Sequence, residues 1–501
     1  MKKGKLLVAL LATVALIGCG EVVSTTGTPT TATPTTVAPT ATPTTTAKPT
    51  TIAKPTTTVA PTVTPTTNPT QEGCQHSWDR TGLLKATSLT KGQNIKVCSL
   101  CGLEEVLEIP MDANNPGSLV SSGEDYEYNN FDLVRGLYGD CQLTFTYNNK
   151  SPSSSGDWAQ GRVILAVDDE GKFVPGASLY YGKGLAAPLT AGGFHEHNDL
   201  VYHYGWSGDS GVGTWFPGVF LEHAADMDVD VTITRLDEFV VVRLIGNCNY
   251  HENCKNENHF TYRIPRDKGL NVVLGTTFAE VSLKSASLDL TPNSVEEKLS
   301  SPVTVEPNAE VSEQTVYTHE FGSEYNQKVT FSFHEGDSLA KYDNQWGHWR
   351  GYLWRGDKQD ANGETLTPYP DNTNATNGTI YTRMTPTQDH YSNWNSVLPK
   401  WNLEGGVTGD KSAGAFSWFT STDPNFVDNF GVLMDDVDVE MTFVKIDRYV
   451  FMRVHYSSNV YENTTAYRYF AAVVEAKVPA LFTLRGEKST ITLNSVKVEK
   501  F

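Results

Sequence analysis

The chain has 501 residues, among them 41 Gly, 25 Pro and 7 Cys, enough length for two to four domains with a sizeable core. Lys and Arg number 39 against 58 Asp and Glu, a formal net charge of −19, and that sign excludes nucleic acid and anionic membrane surfaces as partners. No apolar run reaches the length of a spanning helix, which excludes a polytopic membrane protein.

The first segment is an address. Lys2, Lys3 and Lys5 precede an almost wholly apolar stretch from Leu6 to Ile17, the pattern of a secretory signal. It closes in Leu16-Ile17-Gly18-Cys19, which resembles the bacterial lipobox. That resemblance implies a lipoprotein, residues 1–19 being its signal and Cys19 its acylated first residue. The chain is then extracellular at the cell surface and meets the membrane through its lipid anchor alone. An ordinary secretory signal with an incidental Cys is the alternative.

Residues 20–72 are mainly Thr, Pro and Ala, with nine prolines at near-regular spacing from Pro29 to Pro69 and no aromatic residue to nucleate a core. Proline favours extended polyproline II at about 3.1 Å per residue, so this stalk is expected to hold its payload roughly 100–150 Å from the lipid. Its threonines are candidate glycosylation sites of the mucin-like kind.

Residues 73–110 carry Cys74-Gln75-His76 and then Cys98-Ser99-Leu100-Cys101-Gly102. Three thiols and one imidazole make a tetrahedral zinc set, and the glycine after the second pair lets the backbone turn tightly around a metal. The stretch resembles the short zinc-ribbon-like modules of bacterial surface proteins, which implies a structural zinc on Cys74, His76, Cys98 and Cys101. So short a segment has too little core to fold alone, so the metal is expected to supply folding energy. Disulfides in an oxidising exterior are the alternative, and Cys141 is either buried or joined to this set.

The remainder is a repeat. Asp226-Met227-Asp228-Val229-Asp230-Val231 matches Asp436-Val437-Asp438-Val439-Glu440-Met441. At the same ungapped offset Leu236-Asp237-Glu238-Phe239 matches Ile446-Asp447-Arg448-Tyr449, and Asn249 matches Asn459. Upstream, Leu143–Tyr147 matches Val329–Phe333. Module one is expected over 111–292, a linker over 293–313 and module two over 314–501. Valines alternate with acidic residues at the period of a half-buried strand, and the turn signal at Asp237-Glu238 separates it from a second strand at Phe239–Leu244. Phe260–Ile264, Leu270–Leu274 and Glu280–Leu290 continue the series, and only Val295–Leu299 carries a helical hint. The fold class is all-β, two tandem jelly-roll sandwiches. The paired Asp-Val-Asp-Val strands and the closing Leu-bearing strands resemble the concanavalin A-like and laminin G-like sandwiches of bacterial polysaccharide-degrading systems.

That resemblance implies carbohydrate binding. A flat indole suits the apolar C–H face of a sugar ring, with polar neighbours for its hydroxyls. Tyr204 and Trp206 lie in a polar, Gly-rich stretch, and Tyr391, Trp394 and Trp401 in a similar one, so these five are the candidate ligand residues. Trp158, Trp215, Trp346 and Trp418, retained in both copies beside strands, are expected in the core. The acidic ladders Asp226/Asp228/Asp230 and Asp436/Asp438/Glu440 each line one strand face. They resemble the Glu-x-Asp-x-Glu strand of retaining β-glucanases but carry the shorter Asp at the nucleophile position. They are expected to be non-catalytic, a solvated face or calcium ligands. His195-Glu196-His197 has no match in the second copy and is expected to be a polar loop. Cys248 and Cys254 bracket a loop as a disulfide candidate. The reading is a surface lipoprotein binding polysaccharide through two modules on a flexible linker. A glucanase-type hydrolase and a structural adhesin for a protein partner are the alternatives.

Overall fold

The computed structural model describes residues 74–121, 129–151, 159–169, 172–182, 187–190, 195–196, 202–203, 225–249, 255–306, 314–323, 326–336, 349–357, 380–384, 420–421, 436–459, 465–474 and 478–501. Every regular element among them is a strand. No helix among them is long and apolar enough to cross a membrane.

Three strands come first: Trp78–Leu84 (β1), Gly92–Cys98 (β2) and Glu104–Ile109 (β3). The first sandwich holds Ser118–Val120 (β4), Asn129–Tyr138 (β5), Cys141–Lys150 (β6), Gln160–Asp169 (β7), Lys172–Gly182 (β8), Ala187–Thr190 (β9), His195–Glu196 (β10), Tyr202–His203 (β11), Asp226–Leu236 (β12), Phe239–Cys248 (β13), Lys255–Arg263 (β14), Gly269–Thr277 (β15) and Glu280–Asp289 (β16). The second holds Ser294–Glu297 (β17), Val303–Val305 (β18), Gln314–Phe321 (β19), Gln327–Gly336 (β20), Trp349–Arg355 (β21), Ile380–Met384 (β22), Thr420–Ser421 (β23), Asp436–Ile446 (β24), Tyr449–Ser458 (β25), Thr465–Val473 (β26), Ala480–Gly486 (β27) and Thr490–Lys500 (β28).

The two sandwiches share one strand order. The sheet running β14-β13-β12-β6-β16 in the first returns as β26-β25-β24-β20-β28 in the second. The facing sheet β5-β15-β7-β8 returns as β19-β27-β21-β22. All pairings are antiparallel, as in a jelly-roll sandwich. Period-two patterning explains the packing. On β12 Met227, Val229, Val231 and Ile233 enter a core shared with Leu143, Phe145 and Tyr147 of β6 and Leu270, Val272 and Leu274 of β15. On β24 Val437, Val439, Met441 and Phe443 enter a second core with Phe331, Phe333, Phe482 and Leu484. Burying a side chain of this size contributes about 1.5–3 kcal/mol, so each alternating strand is held firmly in register.

Three expectations are corrected. Val295 lies in β17, which is extended: Ser294–Glu297 pairs with Lys497–Lys500 of β28, and this edge pairing outweighs the weak helical spacing. The stretch 293–313 is not simply free chain, because β17 and β18 both add to β28. The short cysteine-bearing segment does not stand apart either. Its β1 pairs with β5, so β3, β2 and β1 extend the first sandwich's sheet, and Leu84, Ile95 and Val97 join that sandwich's core. Cys141 starts β6 fully buried in the same core, its thiol pushed up to about 12 by burial, and takes no part in the cysteine-histidine cluster.

The sandwiches are also packed together. Leu236, Phe239 and Val241 of the first belong to the hydrophobic cluster of the second. At the β12–β13 turn Asp237 adopts φ 56°, and at the β24–β25 turn Asp447 adopts φ 53°. Short polar side chains tolerate this left-handed region. Each turn is capped the same way: the Asp237 N–H donates to Asp140 Oδ1 at 2.7 Å, and the Asp447 N–H to Asn326 Oδ1 at 3.0 Å.

Candidate metal centre and outward polar faces

Cys74 and His76 lead into β1, Cys98 ends β2 and Cys101 sits in the turn to β3. That turn is built for close approach. The Gly102 N–H donates to Cys98 O at 2.8 Å, the Cys98 N–H to Leu103 O at 2.8 Å, and Gly102 takes φ 71°. The Ser99 N–H reaches back to Ser77 O at 2.9 Å, tying the two ligand pairs together. The four donor atoms all lie within 4.8 Å of one another. Cys74 Sγ is 4.0 Å from Cys98 Sγ, and Cys101 Sγ is 3.3 Å from His76 Nδ1. Tetrahedral zinc with Zn–S bonds of about 2.3 Å sets its sulfurs about 3.8 Å apart, so the donor set fits. The Cys74 thiol is pushed up to about 12 by its hydrogen bond with Cys101, by burial and by Cys98. Burial also opposes ionisation of Cys98, but the backbone N–H of Cys101, His76 and the Cys101 thiol outweigh it and draw Cys98 down to about 6. A divalent cation bound here would displace the protons that the thiols hold.

The acidic ladders face outward, opposite the core valines. In the first sandwich Asn148 Nδ2 donates to Asp226 Oδ1 and Asp228 Oδ1, each at 3.0 Å. Thr146 Oγ1 donates to Asp230 Oδ1 at 2.7 Å and Asn247 Nδ2 to its other oxygen at 3.0 Å. Lys284 Nζ grips Asp228 at 2.5 and 2.6 Å. In the second, His334 Nδ1 lies 3.0 Å from Asp438 Oδ1 and Arg453 Nη2 donates to Glu440 Oε1 at 3.1 Å. One bond survives in both copies: Asn249 Nδ2 donates to Asp226 Oδ1 at 2.7 Å, and Asn459 Nδ2 to Asp436 Oδ1 at 2.8 Å. Carboxylates two residues apart on a strand are rooted about 7 Å apart. Amide, hydroxyl and cationic side chains partner them.

Tyr204, Trp206, Tyr391, Trp394, Trp401, Cys19 and Cys254 lie outside the described residues, as do Trp158, Trp215, Trp346, Trp418 and His197. Cys248 closes β13 with its side chain buried. Of the remaining tryptophans, Trp349 is fully buried, and Trp354 is buried with its indole N–H donating to Thr483 Oγ1 at 2.9 Å.

Sequence reasoning missed a second set of residues, at the seam between sandwiches. Arg453 Nε donates to Asp237 Oδ2 at 3.0 Å, and Arg266 pairs with the other oxygen. Nearby, Arg80 of β1 meets Asp140 at 3.3 Å and Glu499 at 2.8 Å, while Lys328 pairs with Asp140 and reaches Glu499 at 2.8 Å. Two cations and two anions thus close a ring that ties the cysteine-bearing segment and both sandwiches together. Burial alone opposes the charge on Asp140 and Glu499, yet the cations, Lys328 foremost, hold both carboxyls below their usual range. The only sequence signal was the recurrence of Asp at both hairpin tips.

No family model matches the chain. No curated protein matches it either. Among solved structures it is similar to peanut lectin with a nine-residue peptide, at 10% identity over 72% of this chain and 97% of that one, with a TM-score of 0.20. It is also similar to infectious bursal disease virus, Gx strain, at 8% identity over 87% of this chain and 83% of that one, with a TM-score of 0.14. The all-β assignment rests on the sheets described above.

Proposed function

We propose that this chain binds polysaccharide at a bacterial cell surface without cleaving it, anchored by lipid at Cys19 and held out on the Thr/Pro stalk. The observation that carries the reading is the outward sheet face. Asp226 and Asp228 both accept from Asn148, and Asp230 accepts from Thr146 and Asn247, so each carboxylate is held by an amide or hydroxyl neighbour. Sugar hydroxyls both donate and accept, so fixed carboxylate, amide and hydroxyl groups complement them, and prior fixing lowers the entropy cost of binding. Asp228 is already engaged by an ammonium and an amide, which suits an acceptor better than the proton-sharing pair that glycoside hydrolysis needs. Tyr204, Trp206, Tyr391, Trp394 and Trp401 supply the ring-stacking platforms in this reading. Zinc on Cys74, His76, Cys98 and Cys101 is structural, since protein fills all four ligand positions.

Affinity electrophoresis against soluble polysaccharides tests the reading. Retardation of the full chain by at least one glycan, reduced by Asp230→Ala and Asn148→Ala with the melting curve unchanged, supports it. Retardation by none defeats it, and release of reducing ends replaces it with the hydrolase.

A further inference from the structure

The seam between the sandwiches is a pseudo-symmetric contact with one half filled and one half hollow. Each hairpin tip rests on the outward face of the other sandwich. In the filled half the β12–β13 tip brings Phe239 flat onto Phe451, centroids 4.7 Å apart and planes within 8°, and sets Asp237 on Arg453. The repeat offset fixes what stands in the other half. Phe451 corresponds to Val241, Arg453 to Arg243, Phe239 to Tyr449 and Asp237 to Asp447. A ring is therefore missing there. Arg243 does not take up the tip aspartate but bonds Glu257 at 2.5 Å, and Asp447 Oδ2 stops 3.7 Å from His259 Nδ1. Tyr449 tilts over His259 at 5.8 Å and lies near-parallel to Phe451 of its own strand, centroids 6.5 Å apart.

A cavity of about 210 Å³ fills the space so left. That is room for a single ring, and the cavity is partly open to solvent. Its wall is mixed. Thr232, Thr234 and Ser323 bring hydroxyls, Gln142 and Asn326 bring amides, and Val241 and Ile446 bring apolar surface. Its charges are of both signs, Arg243 and Lys445 against Asp447, and Glu257 from just behind already engages Arg243 and His259. An anion gains no uncompensated cation here. A compact neutral ring with hydroxyls on its rim and C–H faces meets donors, acceptors and an aliphatic wall at once.

We propose that this cavity between the sandwiches is a binding site for one pyranose ring, a free monosaccharide or the terminal residue of a glycan. The inference deepens the polysaccharide reading and rests on it for the choice of ligand, but uses a site separate from the Asp226–Asp230 face.

The test is saturation-transfer NMR and titration of the full chain with a panel of neutral monosaccharides and their methyl glycosides, alongside affinity electrophoresis on the same samples. Val241→Phe restores the ring that the filled half holds and closes the space. Thr232→Val removes one hydroxyl at nearly constant volume. The expected result is binding of at least one pyranose by the wild type, lost about tenfold or more in Val241→Phe and weakened about three- to tenfold in Thr232→Val, with melting temperatures held. Methyl glycosides separate the sources: equal binding with the methyl group in place marks a chain terminus, loss of binding a free sugar. Absence of binding by the wild type, or binding that survives both substitutions, overturns the proposal. Polymer retardation without pyranose binding sinks the cavity alone. Pyranose binding sensitive to Val241→Phe without polymer retardation keeps the cavity and sinks the polymer reading.

Discussion

Phe239 of the first sandwich lies flat on Phe451 of the second, ring centroids 4.7 Å apart. Both rings are buried, and the pair sits beside the Asp237–Arg453 ion pair, whose side chains are also buried. Two sandwiches joined this way unfold as coupled bodies. The double-mutant cycle of Phe239→Ala and Phe451→Ala should give a coupling of about 0.5–1.5 kcal/mol. Each single change should cost about 3–5 kcal/mol and split one calorimetric transition into two. Additive costs with an unsplit transition would show that the rings merely touch.

The ring formed by Arg80, Asp140, Lys328 and Glu499 makes a second prediction. Removing one member strands a buried opposite charge, so Lys328→Met should cost about 3–5 kcal/mol. Lys328→Met combined with Glu499→Leu should recover part of that loss, measured by urea unfolding.

Metal removal should act on the same seam. Cys74, His76, Cys98 and Cys101 fix the ends of β1 and β2, and Arg80 of β1 belongs to the charged ring. Purified full chain should carry one zinc per molecule by elemental analysis. Chelation or Cys101→Ser should lower the melting temperature and raise proteolysis between residues 84 and 92. Metal-free protein with its thiols found oxidised would favour disulfides instead.

His319 gives a pH prediction. Burial draws its imidazole down to about 4, against a weaker opposing hydrogen bond to Gln327. The folded state therefore holds this imidazole neutral while the unfolded chain takes up a proton below about 6.5. Stability is full above that value and falls as pH drops from about 6.5 to about 4, by up to about 3 kcal/mol. His319→Phe should flatten this part of the stability profile, and an unchanged slope would assign the loss to other groups.

Acylation at Cys19 is checked by palmitate labelling of cells: the wild type should label, and Cys19→Ala should leave an unlabelled precursor or shed protein. In the same strains Trp206→Ala, Trp394→Ala and Trp401→Ala should each lose one to two orders of magnitude in glycan affinity, or about 1.4–2.8 kcal/mol, without lower melting temperatures.

Local chemistry made much of this legible. Alternation of Val229, Val231 and Ile233 with Asp228, Asp230 and Thr232 sets which face is buried, because strand side chains alternate with a period of two whatever the neighbours do. The spacing of Cys74, His76, Cys98 and Cys101 identified a donor set because one tight turn brings each pair together. The αL tips at Asp237 and Asp447 were visible as turns, but not as contacts. Which strands neighbour one another across long sequence separations, such as β1 beside β5 or Lys328 beside Asp140, depends on how whole faces fit together. So does the difference between Phe451 and Val241. In the sequence it is one apolar residue for another. Only the docking of the two sandwiches turns it into a stacked ring on one side and a cavity on the other, since a void exists only where surrounding atoms from distant segments fail to meet.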